Sequence, residues 1–183
     1  MADLRNPDKP EGLAIGTNIC IKNSTIRTFY KILNRDTLFY RDLHASLAAA
    51  ATEAFAEVTN LNPTTGQLLQ ITNIEIDGNV EVSLKQPAAT NRWGTQRSPT
   101  GGLLTDRHAF VGSQRQLNLW VLENFPPNVQ LVNNADVAII ATLWWIGWRY
   151  EIQFIGETAD GLVTRGRKPV EPFVEVSVGP PGQ

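Results

Sequence analysis

The stretch ATLWWIGWRYEIQF, residues 141–154, constrains the fold of this chain more than any other. Three of the five tryptophans stand within five positions there, and the apolar residues alternate with a period of two. In an extended strand Trp144, Ile146, Trp148, Tyr150, Ile152 and Phe154 share one face, while Val137, Ile139, Ala141, Leu143 and Trp145 share the other. The apolar set therefore changes parity near Trp144–Trp145. A turn or bulge there, helped by Gly147, would carry both sets into one core, with residues 136–145 and 146–155 as the central strand pair. A face that stays apolar over six successive positions does not point at solvent, so the tryptophans are expected to be core wall rather than a ligand platform.

Other segments repeat the pattern. Alternation at 14–21, 25–33, 117–122 and 128–133 marks further strands, and NIEIDGNVEVSL at 73–84 reads as a hairpin turning on Asp77-Gly78-Asn79. One helix is expected at about 42–58, DLHASLAAAATEAFAEV. Its apolar residues recur at three- and four-residue spacing through an alanine run, Asp42 is placed to cap it and LNPTTG to stop it. Seven or eight short strands joined by Pro-, Gly- and Asn-rich connections predict a mainly β fold, an antiparallel β-sandwich of jelly-roll-like type. Residues 1–13 and 169–183, rich in proline and polar groups, read as extended N- and C-terminal arms around a single domain at 14–168.

With 183 residues and an apolar fraction of 42%, the chain can fill one core. A net charge of −2 leaves no basic footprint for nucleic acid, which is not an expected partner. The single cysteine, Cys20, excludes an intrachain disulfide and suits a reducing compartment. The N-terminus has charges and prolines where a signal peptide needs an apolar core, and no window reaches the ~18 apolar residues of a membrane span. No export by that route and no membrane partner are expected.

Catalytic chemistry has thin support. His108, Asp106 and Ser113 supply the residue types of a triad but no nucleophile elbow accompanies them, and His44 reads as a surface or capping residue of the helix. One cysteine and two distant histidines do not make a zinc site, DGN lacks the further carboxylates of a calcium loop, and no phosphate-binding glycine motif occurs. No catalytic, cofactor-binding or metal residues are assigned. The expected contact residues lie elsewhere. Arg92, Trp93 and Arg97 sit in the long polar loop 86–113, Arg165, Arg167 and Lys168 form a basic cluster suited to an acidic patch on another protein, and Phe173 opens the alternating segment FVEVSV. Trp93 and Arg92 also allow a second reading, a carbohydrate- or receptor-binding module in which the ring stacks on a sugar.

The run NLWVLENFPPNVQLVNNADVAIIATLWWIGWRYEI, within about 117–155, resembles the C-terminal β-strands of accessory virion proteins of tailed bacteriophages. The resemblance implies a non-enzymatic structural role as a capsid decoration (cement) protein, with a neck or tail component as the alternative. It implies other virion proteins, major capsid or neck and tail subunits, as partners, a homo-oligomeric state, and a place in the virion after synthesis in the host cytoplasm. Gly147-Trp148-Arg149-Tyr150 would then serve the fold.

Overall fold

The computed structural model describes residues 12–23, 25–77, 80–85, 92–97, 108–109, 119–168 and 171–176. Twelve strands run through them: β1 (Asn18–Asn23), β2 (Ile26–Leu47), β3 (Ala56–Glu57), β4 (Gln67–Asp77), β5 (Val80–Lys85) and β6 (Arg92–Arg97), then β7 (His108–Ala109), β8 (Leu119–Val121), β9 (Asn128–Asn133), β10 (Ile139–Ala159), β11 (Leu162–Gly166) and β12 (Val174–Val176). An eight-stranded sheet has the order β12-β1-β2-β10-β4-β7, with β11 against β10 and β8 against β4. The remaining strands form a second sheet, β3-β9-β5-β6. Every pairing is antiparallel except β1 with β12. The protein is mainly β, and among the described residues the one helical turn is a 3-10 turn at Thr59–Leu61.

The aromatic stretch is central, but as one strand rather than two. β10 runs unbroken for 21 residues, with β2 on one side and β4 and then β11 on the other. Its register against β2 is regular from Thr142–Leu43 to Glu151–Asn34, so its two residue sets stay on opposite faces. Ile139, Ala141, Leu143 and Trp145 enter a core that also holds Leu38 and Leu47 of β2, Ile74 and Ile76 of β4, Val80, Val82 and Leu84 of β5, and Val129 and Leu131 of β9. Tyr150 enters a second cluster on the other face with Ile19, Ile21, Ile32, Leu68, Trp120 and Val176, against which Leu13, Trp148 and Ile152 pack. The expectation of one shared core is thus corrected: the parity change marks where a continuous strand passes from one core to another. The bulge is on β4, which skips Thr72 between the pairs Asn73–Ile146 and Ile71–Gly147. That extra residue lets Leu69 and Ile71 before it, and Ile74 and Ile76 after it, all face the first core. A Cβ on Gly147 would collide with the Gln70 carbonyl, so glycine permits the close approach at the bulge.

The helix expected at 42–58 is absent. Asp42–Leu47 is the end of β2, and the backbone of residues 50–53 is tied across the chain: Ala50 N donates to Ala135 O, Glu53 N to Leu131 O, and Asn133 N to Ala51 O. The Nδ2 of buried Asn133 also lies within hydrogen-bond distance of the carbonyls of Leu47, Ala48 and Val137, sharing its two hydrogens among them. Ser46 and Ala50 take φ values of 64° and 50°, outside any right-handed helix. Helix propensity differs among residues by under ~1 kcal/mol each, and a long partner strand that supplies every ladder bond overrides it.

The hairpin at 73–84 is corrected too. β4 and β5 follow one another, but β4 pairs with β10, β7 and β8, whereas β5 pairs with β6 and β9. The chain crosses from one sheet to the other, so Ile74 and Ile76 meet Val80, Val82 and Leu84 within one core instead of side by side in a ladder. Alternation is the same in a hairpin and in such an arch. Residues 78–79 lie outside the described residues.

Candidate interaction surfaces

The face of the eight-stranded sheet that carries Trp144, Trp148, Tyr150 and Phe154 is laid with arginines. Arg41 stands over the Trp144 ring at 5.3 Å, Arg35 over Trp148 at 5.1 Å and Arg165 over Phe154 at 4.4 Å. Phe39 packs on Trp144 with ring centroids 5.5 Å apart, and Tyr30 meets Phe154 edge-on at 6.0 Å. The register explains two of these contacts directly, because Arg41 lies opposite Trp144, and Tyr30 opposite Phe154. Arg–aromatic surfaces of this kind have the composition of protein interfaces.

At the Tyr150 end the face is covered. Gly12 lies on the Trp148 ring, where a Cβ would stand 2.8 Å from the indole. The Leu13 N–H donates to the Tyr150 hydroxyl at 2.9 Å, and that hydroxyl donates to Gln70 Oε1 at 2.6 Å. Arg35 Nη1 donates to the Gly12 carbonyl at 2.9 Å and to that of Leu13 at 3.3 Å. Burial pushes the Tyr150 phenol up, against smaller opposing effects of the Leu13 N–H and the Arg35 charge, so it keeps its proton as a donor at neutral pH. At the Trp144 end the face is open: Phe39 is 60% exposed, Leu43 53% and Ile140 65%.

The basic cluster Arg165, Arg167 and Lys168 falls on and just beyond β11, fully on the surface. The β10–β11 hairpin turns on Asp160 and Gly161, both at positive φ, and presents Leu162, 74% exposed, with Val163 and the neighbouring Ile26 also exposed. Ile26 and Leu162 both sit opposite Ala159, on either side of β10, so the tip is apolar across three strands. Arg167 N donates to Ile155 O at 3.0 Å, which fixes the backbone that carries the basic side chains.

Phe173 is turned inward, edge-on to Phe29 with centroids 5.1 Å apart, and β12 just after it seats Val176 in the second core. Arg92, Trp93 and Arg97 belong to β6, the edge strand of the four-stranded sheet. Trp93 falls at the bulge between the pairs Lys85–Arg92 and Leu84–Gly94. The two basic groups therefore lie on different sheets. His108 is in β7 opposite Ile76, while Asp106, Ser113 and most of the 86–113 segment lie outside the described residues.

His44 is placed differently from a helix-surface residue. It alternates with Asp42 on one face of β2 and bridges two carboxylates, Nε2 to Asp42 Oδ2 and Nδ1 to Glu53 Oε2, each at 3.2 Å. Burial works to lower its pKa, but the hydrogen bond and charge of Asp42 and those of Glu53 together raise it above 6.5. The Asp-x-His spacing carried this signal once the segment is read with period two. Cys20 is buried, and burial raises its thiol pKa. Among the described residues no group of three or more His, Cys, Asp or Glu side chains is arranged to hold a metal ion, and no helix is long and apolar enough to cross a membrane. In comparisons with protein families, curated proteins and solved structures, nothing matches this chain.

Proposed function

We propose that this chain is a structural protein that acts by protein–protein contact. In finer detail, it is a jelly-roll-like β-sandwich of a tailed-bacteriophage virion, a decoration or cement protein that joins the particle after synthesis in the host cytoplasm. The observation that carries the reading is the β10–β11 hairpin, with an apolar tip of Ile26, Leu162 and Val163 beside Arg165, Arg167 and Lys168. A protruding apolar anchor beside a charged rim is the anatomy of a contact made with another protein, and the rim selects an acidic patch on that partner. Two sheets sharing one core support the sandwich.

The test is incorporation. Virions of the phage that carries this coding sequence should hold the chain, and Leu162→Asp with Arg165→Glu should fold yet lower incorporation by about tenfold or more, as loss of an interface anchor does. Purified virions free of the chain, or full incorporation of the double variant, would overturn the reading.

A further inference from the structure

β2 runs for 22 residues, but β1 covers its outer side only along Ile26–Lys31, and Ile32 N then donates to Thr17 O. Beyond the register shift at Leu33, the N–H groups of Arg35 and Thr37 bond Asn34 Oδ1 and Asp36 Oδ1 instead of β10. From here on the odd-numbered residues therefore turn their N–H and C=O outward. The pairing with β10 is regular from Asn34 to Leu43, so Phe39, Arg41 and Leu43 share that orientation. Side-chain caps thus close the edge at Arg35 and Thr37, whereas among the described residues nothing takes up the outward backbone of Phe39, Arg41 and Leu43. The side chains of Phe39 and Leu43 are themselves exposed. An open edge flanked by apolar side chains is a template for a further strand.

We infer that this edge binds β2 of a second copy of the chain, antiparallel about a two-fold axis at Arg41. The segment is self-complementary about that residue. Phe39 meets the second copy's Leu43 on either side of the axis and Arg41 meets its own counterpart, so the open residues pair with one another, each pair exchanging both hydrogen bonds. A slide of two residues one way sets Leu43 against Thr37, whose N–H Asp36 holds. The same slide the other way sets Asp42 against Asp42, a like-charge pair. The Arg41 charges do not oppose the central register, because each guanidinium lies 5.3 Å from the Trp144 ring of its own β10, one strand in from the edge. Across the pair they stand ~15 Å apart, beyond the ~8 Å screening length of physiological salt. Phe39 packs on the same Trp144, so its contact with Leu43 extends the aromatic face across the axis. The inference concerns contact between copies and does not depend on a role in a particle.

Sedimentation of the full chain at ~0.1 mM should show a dimer. Leu43→Pro removes an outward N–H and no bond to β10, and an edge strand tolerates proline, so it should keep the far-UV circular dichroism of the wild type yet raise the dissociation constant about tenfold or more. Leu43→Lys, which keeps the N–H and sets a charge on the edge, should weaken the dimer about threefold or more. Cysteine oxidation reads the register. A mixture of Phe39→Cys and Leu43→Cys chains should form the mixed disulfide about tenfold faster than either forms one with itself, since opposed Cα atoms are ~5.5 Å apart and like ones ~14 Å. Buried Cys20 is common to every sample. A monomer at this concentration would leave the edge to a strand of another protein and overturn the inference. A dimer indifferent to both Leu43 variants, or equal rates for mixed and like cross-links, would overturn it too.

Discussion

Replacing Tyr150 with Phe deletes one oxygen at the junction between the N-terminal segment and the second core. That oxygen accepts from Leu13 N–H at 2.9 Å and donates to Gln70 Oε1 at 2.6 Å. Tyr150 is fully buried. Two hydrogen bonds at a net ~1 kcal/mol each give ~2 kcal/mol, and a buried donor or acceptor left unpaired adds ~1 kcal/mol or more. Water cannot take the place of the hydroxyl, because Gly12 packs so closely that a Cβ there would stand 2.9 Å from that oxygen. The expected loss is therefore about 2–4 kcal/mol, read as a lower urea midpoint with an unchanged slope. Amide exchange at Leu13 should speed up more than that of the β10 ladder, since Leu13 loses its acceptor while the ladder keeps its own. A double-mutant cycle with Gln70→Leu should return a coupling of ~1 kcal/mol. A loss below ~0.5 kcal/mol for Tyr150→Phe, with Leu13 exchange unchanged, would refute the reasoning.

Two further substitutions probe the region where a helix was expected. Ala50→Gly relieves a residue at φ 50° and should raise stability by about 0.5–1 kcal/mol in thermal melts, whereas in a helix interior the same change would lower it by about 1 kcal/mol, so the sign decides. The His44 pKa is raised in the folded state, so its contribution is complete below about pH 6.5 and is lost as pH climbs through the raised folded value. The wild type should lose about 1 kcal/mol over that interval relative to His44→Gln, the modest size reflecting the partly exposed Glu53 carboxylate, and parallel stability–pH curves would contradict the bridge.

Several features were legible before any fold was known. The β character, the burial of Trp145 and Tyr150 and the parity change all follow from alternation along one strand. The helix at 42–58 was misread because Leu43, Leu47, Ala50 and Ala54 satisfy a helical period by coincidence. The real partners of that segment, β10 and Asn133, are about ninety residues away in sequence. Among the candidate contact residues, Arg165, Arg167 and Lys168 are exposed as basic clusters tend to be, while Phe173 turned inward onto Phe29, a contact no local pattern announces. The Asp42–His44–Glu53 bridge depended on a turn that brings Glu53 back over β2.

Period-two alternation and composition were enough to dictate strands, a well-filled interior and the place where β10 changes its buried face. These are local properties, set by where successive side chains point. Long-range pairing settled the rest: which strands share a sheet, that β4 and β5 face each other across a core, and that the two halves of β10 are buried on opposite sides. A strand with both faces apolar at different positions is compatible with one bent core or with two. The free energy that chooses between them resides in contacts between residues far apart in the chain, which no window of sequence contains.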